Sequence, residues 1–292
     1  MVYVLYPCDY FESNKVEPDY QYEYDEAVKF PDFHLLFYNY DQFVSGDGLK
    51  IVPLPSENGI CIYRGWMLKP DQYEELYHLL KEKSVELINT PEAYENCHEF
   101  PLSYHKIEQL TPKTMVFPEG SAIDWDEVKE NLGTFMMKDY VKSVKGTEFP
   151  QYFDYNCTNE MLEQSVIRFK ELRGSLYTKG IVLKQFIRLK RYGETTNEYR
   201  AFYLDGRLLT LSPNSNQSKE CNKVPDSFLK MIPKLDSRFY TIDFAETEDG
   251  GWQVIETGDG QVSGLSPNQY VFKFYDELHD RLCGKGAVYE KS

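Results

Sequence analysis

The 292-residue sequence contains no Cys-x-x-Cys pair, and its six cysteines (Cys8, Cys61, Cys97, Cys157, Cys221, Cys283) are scattered singly, with no pairing with the five histidines at metal-ligand spacing. That spacing argues against a zinc site and for reduced, packed thiols. Cys8, at the end of a first expected strand, reads either as such a packing thiol or as a nucleophile. No run approaches the roughly 18 apolar residues of a membrane span. The opening residues lack the basic flank, long apolar stretch and small-residue cleavage site of a signal peptide, so a cytoplasmic protein is expected. Positive charge is scarce: 32 Lys and Arg face 47 Asp and Glu, a net −15. Nonspecific nucleic-acid binding needs a positive surface and is not expected. No helix carries a coiled-coil seam, which leaves the oligomeric state open.

What positive charge there is lies together. Residues 138–210 hold 13 Lys and Arg against 9 Asp and Glu, a local +4 within an acidic chain. A basic island of this kind suits a compact anion such as a nucleoside triphosphate. Hydrophobic residues at 41% and aromatics at 15% exclude a disordered chain, and the length allows one or two domains.

Along the first third, apolar runs at 2–6, 33–38, 49–54, 59–63 and 85–88 read as strands. Residues 70–83 read as a helix, with Pro70 in the first turn and Tyr73, Leu76, Tyr77 and Leu80 at i, i+3, i+4, i+7. Alternating strands and helices indicate a small α/β domain. Ligands of such sheets bind at the carboxyl ends of strands, which makes Pro7-Cys8-Asp9 and Arg64-Gly65-Trp66 either pocket candidates or ordinary loop packing. Asn89-Thr90-Pro91 is expected to break the last strand, and the proline-containing stretch 111–120 marks a boundary. Beyond it come an acidic helix (122–131), a strand ending in Lys138, a polar loop, an amphipathic helix (160–174) and a strand (180–189) with Lys184 at its centre.

Two hairpins follow. Asp205-Gly206 supplies the positive-φ positions of a two-residue turn, which pairs Leu204 with Arg207 and Arg200 with Leu211. Asp249-Gly250 does the same for 239–260, pairing Glu246 with Gln253 and Asp243 with Glu256. Two carboxylates opposed across a strand pair repel, and Ile242, Phe244, Val254 and Ile255 surround them with apolar side chains. One reading places a positive group between them, most simply Mg²⁺ bridging to phosphate. The other is a surface hairpin slipped by a residue. Lys184 similarly reads as functional or as a solvent-facing strand residue, and Arg200 as functional or as a partner of Glu198 or Glu220. A final helix is expected over 267–282.

The order of these features is more informative than any one of them. A strand ending in Lys138, the Ser143-Val144-Lys145-Gly146 loop, Lys184 followed by Gln185-Phe186-Ile187, and hairpins carrying Arg200, then Asp243 and Glu256, resemble the ATP-grasp superfamily. The segments IYRGWML and LINTPEAY resemble its divergent clade named for two arginines and a lysine. The resemblance implies a mixed α+β and α/β fold. A small N-terminal pre-ATP-grasp domain (1–112) would precede an ATP-grasp domain (113–292), whose lid (113–190) and metal-binding (191–292) subdomains sandwich the nucleotide. It further implies a Mg²⁺- and ATP-dependent ligase that joins a carboxylate to an amine or thiol through an acyl phosphate, on small molecules or peptides. A non-ligase ATP-binding protein of the same fold, a phosphotransferase or an assembly chaperone, is the alternative.

By position, the resemblance gives Lys138 and Lys184 to the phosphates, Ser143 to the loop that covers them, and Gln185, Phe186 and Ile187 to the adenine edge. Arg200 and Lys145 would steady the transferring phosphate, and at most one of Lys142 and Lys145 would reach it. Asp243 and Glu256 would hold the metal. The family's asparagine two residues after the second acid is here Gly258; either Asp259 substitutes through a slightly different loop or a second metal is held more weakly, which leaves the number of metals open.

Overall fold

The computed structural model describes residues 1–144, 146–214, 217–266 and 269–284. Strands β1 (Val2–Pro7), β2 (Phe33–Tyr38), β3 (Ile51–Val52), β4 (Gly59–Tyr63) and β5 (Val85–Leu87) form a sheet in the order β3-β2-β1-β4-β5. All pairs are parallel except the short edge strand β3, the remnant of the strand expected over 49–54. Central β1 is buried throughout, as an apolar strand covered on both faces must be. Helices α1 (Gln21–Ala27), α2 (Tyr40–Val44) and α3 (Pro70–Lys81) connect these strands; α3 buries Tyr73, Leu76, Tyr77 and Leu80 beside Tyr3 and Leu5.

The strand breaks before Asn89-Thr90-Pro91 as expected, and Pro91 in addition starts a helix. Thr90 Oγ1 accepts the Ala93 N–H and caps α4 (Pro91–His98), and α5 (Phe100–Ile107) follows with its own proline in the first turn. The proline-bounded stretch 111–120 contains a strand, β6 (Thr114–Pro118). It sits at the edge of a β6-β8-β7 sheet, where a terminal proline disturbs no central ladder.

That sheet is completed by β7 (Phe135–Lys138) and β8 (Gly180–Gln185) and backed by α6 (Trp125–Leu132) and α7 (Asn159–Arg173). Phe135, Met137, Ile181 and Leu183 pack with Val128, Leu132, Leu162 and Phe169 of the helices. The two-residue period of a strand then sends Lys138 and Lys184 to the opposite face. Lys138 pairs with Val182 and Met136 with Lys184, so the two lysines are diagonal neighbours.

After a small hairpin of β9 (Arg191–Tyr192) and β10 (Thr195–Thr196), the strands β11 (Glu198–Leu204), β12 (Arg207–Pro213), β13 (Phe239–Glu246) and β14 (Trp252–Asp259) form an antiparallel sheet. Its order is β12-β11-β13-β14. The short α8 (Asp226–Leu229) lies in the β12–β13 connection, and α9 (Val271–Cys283) returns to the N-terminal sheet, with Phe274, Tyr275 and Leu278 joining Val2, Val4 and Tyr6 in one core. Pro267 and Asn268, part of the expected last helix, lie outside the described residues.

Both hairpins correct the expected register. At Asp205-Gly206 both residues have positive φ (51° and 78°) and Leu204 pairs with Arg207, but a bulge follows and Arg200 faces Ser212, not Leu211. The second turn is longer than two residues. Only Gly250 has positive φ (85°), Thr247 N–H bonds to Gly251 O, and Asp249 Oδ1 accepts from Thr247 Oγ1 and Gly251 N–H. Glu246 therefore pairs with Trp252, not Gln253; a bulge that leaves Ile255 unpaired then restores Asp243 opposite Glu256.

Candidate functional site

A cleft of about 1330 Å³ lies between the cleft-facing side of the β6-β8-β7 sheet and the β12-β11-β13-β14 sheet. Lys138, Ser143, Lys184, Gln185, Phe186, Ile187, Arg200, Asp243 and Glu256 all line it. Lys145 lies outside the described residues. The loop after β7 is tied by Asp139, whose Oδ1 accepts the Val141 and Lys142 N–H groups at 2.8 and 2.7 Å. Arg173 donates to Asp139 Oδ2 at 2.7 Å. These ties bring Lys142 to 3.9 Å from Glu256.

Lys184 is not a solvent-facing strand residue. It is 6% exposed, and its ammonium donates to the carbonyl of the bulged Ile255 at 2.8 Å. Burial, and then Lys138 beside it, hold its pKa well below the usual lysine range. Lys138 lies 3.4 Å from Glu256. Burial works against ionisation of Glu256, but Lys138, Lys142 and Arg200 outweigh it and the carboxyl falls to about 2. The positive charge expected between the opposed carboxylates is thus present in the protein's own side chains. Arg200 forks onto Asp243, with Nε–Oδ1 at 2.8 Å and Nη2–Oδ2 at 2.7 Å, rather than onto Glu198 or Glu220. The cross-strand pairing of Arg200 with Asp243 on β11 and β13 sets that fork.

At the far end, the Gln185 and Phe186 amides are taken by Lys113 O and Thr134 O, both at 2.8 Å, which leaves the Ile187 amide as the free donor of this segment among the described residues. Phe186 lies against Tyr152, ring centroids 5.1 Å apart.

Asp259 is not brought to the cleft. It is fully buried, and its carboxylate accepts from Asn89 Nδ2 at 2.5 Å and from the Gln261 and Val262 amides at 2.8 and 3.2 Å. The strand period explains this: residue 259 lies on the face of β14 opposite to Glu256. A side chain on Gly258 is also blocked, since its Cβ would sit 2.9 Å from Thr241 Oγ1 and 3.0 Å from Ser263 Oγ. Among the described residues no three His, Cys, Asp or Glu side chains form a metal cage. The two carboxylates that do share the cleft fit a hard cation whose other positions come from phosphate and water.

Arg64 does not open onto a pocket. It is 1% exposed, forks onto Glu23 with both contacts at 2.8 Å, and donates to the carbonyls of Gly260, Gln261 and Ser263. Its role is to tie the N-terminal sheet to the loop after β14. Cys8 is buried and its thiol is pushed up, mainly by burial. Three residues near the site carried no signal in the sequence: Asp139, Phe100 and His98. His98 stacks on Tyr94 at 4.9 Å, and burial, then Lys142, bring its pKa down to about 4.

Residues 123–278 match the ATP-grasp domain of family 3 in the clade named for two arginines and a lysine. The chain belongs to this family. The solved structures agree on the ATP-grasp fold. D-cycloserine synthetase DcsG is 13% identical with a TM-score of 0.60, over 97% of this chain and 100% of that one. D-alanyl-alanine synthetase A of Vibrio cholerae is 12% identical with a TM-score of 0.58, over 96% of each chain. The macrocyclase MdnC of Microcystis aeruginosa, bound with precursor peptide MdnA, is 12% identical with a TM-score of 0.56, over 95% of this chain and 99% of that one. No curated protein matches the sequence. No helix among the described residues is long and apolar enough to cross a membrane.

Proposed function

We propose that this ATP-grasp protein is a Mg²⁺- and ATP-dependent ligase that joins a carboxylate to an amine. The observation that carries the reading is the meeting of Lys138, Lys184 and Arg200 with Asp243 and Glu256 in one cleft. Phosphoryl transfer asks for positive charge against the phosphate oxygens and little covalent help from protein, which is what this set offers. Lys138 and Lys184 bind the inner phosphates, the Ser143 loop covers them, and the Ile187 amide meets the adenine edge. Asp243 and Glu256 would hold Mg²⁺, which on binding supplies charge neutralisation between the β- and γ-phosphates. Arg200 turns from Asp243 toward the γ-phosphate. A substrate carboxylate oxygen then bonds to the γ-phosphorus as the bond to ADP breaks. The amine attacks the resulting acyl phosphate, expels inorganic phosphate and loses a proton.

Residues 1–112 act as the acceptor unit, 113–190 as the lid and 191–292 as the metal-binding unit. The structural relatives named for amino-acid synthetases and for a peptide macrocyclase support an amide-forming reaction on an amino acid or peptide. The absence of a side chain at Gly258, and the filled space around it, favours a second reading in which ATP binds without ligation. The test is ADP and phosphate release across a panel of carboxylates and amines, run beside a thermal-shift titration. Mg²⁺-ATP at about 100 times its Kd should add roughly 2.7 kcal/mol to stability. Release that needs both substrates supports the ligase; binding without turnover supports the second reading, and no shift at millimolar nucleotide refutes both.

A further inference from the structure

We infer that Phe100 is a positioning residue that holds Lys138 and Lys184 side by side under the phosphates, by presenting its ring to both ammonium groups. This rests on the ATP-site reading above. The Lys184 Nζ is 4.2 Å and the Lys138 Nζ 5.8 Å from the Phe100 ring centroid. Lys184 needs such support. Its ammonium is buried, its one hydrogen bond among the described residues goes to Ile255 O, and it has no carboxylate within ion-pair distance there. An ammonium taken from water with a single acceptor is poorly compensated, and the negative face of an aromatic ring supplies attraction without adding a competing carboxylate to the phosphate site. Lys138 and Lys184 are also like charges at diagonal positions of adjacent strands, so they repel each other.

Phe100 is placed to serve both. It is 3% exposed, its N–H donates to Tyr140 O at 2.9 Å, and its ring lies 5.9 Å from that of Tyr104. It belongs to neither lysine strand. It arrives at the first turn of α5 and packs in a core with Tyr140, Val182 and Val254, where the two sheets that form the cleft come together. An aliphatic residue would supply apolar contact here, but only an aromatic face can offset two ammonium groups.

The experiment compares wild type with Phe100→Leu, Phe100→Tyr and the full-length protein carrying 3,4,5-trifluorophenylalanine at position 100, which keeps the ring's shape and drains its face of negative charge. Calorimetry reads the Kd for Mg²⁺-ATP. The Leu and trifluoro proteins should bind about 5- to 30-fold more weakly, and the Tyr protein close to wild type. In the absence of nucleotide, NMR titration of Lys184 should show its midpoint moved to lower pH in the Leu and trifluoro proteins but not in the Tyr protein. A trifluoro protein that equals wild type in both measurements overturns the inference, as does a Tyr protein as impaired as Leu. Should wild type bind no Mg²⁺-ATP, the nucleotide reading falls; a ring-dependent Lys184 titration would still uphold the positioning contact, and equal titrations would overturn it.

Discussion

Replacing Glu256 with Gln keeps the side chain's volume and removes the negative charge that faces Lys138 at 3.4 Å and Lys142 at 3.9 Å. In the folded protein burial raises this carboxyl, but Lys138, Lys142 and Arg200 overcome it and bring the pKa from 4.5 to about 2. At about 1.4 kcal/mol per pH unit that displacement corresponds to about 3 kcal/mol of stability. The side chain is 30% exposed, and solvent screening reduces the figure to about 2 kcal/mol. Because the folded pKa lies below the unfolded one, the contribution is present above pH 4.5 and lost as pH falls toward 2. Urea unfolding at pH 7 should find E256Q less stable by about 2 kcal/mol, with the gap narrowing below about pH 4.5. The same variant leaves Lys138 and Lys142 without their carboxylate, so metal-free ATP should still stabilise it while the added effect of Mg²⁺ disappears. Equal stability at pH 7, a gap that persists at low pH, or full Mg²⁺ dependence would each refute the assignment.

Lys184→Met should lose stabilisation by Mg²⁺-ATP in a thermal-shift titration yet unfold at the same or a higher temperature without it. Burial and Lys138 depress the folded pKa of Lys184, so its ammonium opposes folding at neutral pH, and a lower unfolding temperature in the variant would contradict this. Asp259→Asn should leave the Mg²⁺ dependence of nucleotide binding intact, and its loss would return Asp259 to the metal site. Burial raises the Asp259 pKa from 3.8 to about 6, so wild type should lose stability as pH rises across that window, a slope absent from D259N in chemical denaturation.

Much of the site was legible because its parts are local. The period of two along β7 and β8 puts Lys138 and Lys184 on a common face once Phe135, Met137, Ile181 and Leu183 are recognised as core. The opposition of Asp243 and Glu256 was also anticipated, though from a turn one residue too short. The longer Asp249-Gly250 turn and the bulge at Ile255 shift the register in opposite senses and cancel at this pair. Between the two shifts they do not cancel, and Glu246 faces Trp252. Helices α4 and α5 were missed because proline at a first turn and proline as a breaker look alike in one dimension, and the packing of Tyr94, Cys97 and Ile107 decides between them.

By itself, then, the sequence determined which residues carry charge into the cleft, through strand periodicity and the positive-φ turn at Asp205-Gly206. Tertiary structure alone decided how those charges are balanced. Arg200 reaches Asp243 through the pairing of β11 with β13, 43 residues apart in sequence. Asp259, three residues from Glu256, is claimed by Asn89, just after β5, and lost to the cleft. Phe100 reaches the two lysines from a helix that neither of their strands belongs to. Side-chain direction is a local property of a strand, whereas the compensation of a buried charge depends on which distant groups folding brings within a few ångströms.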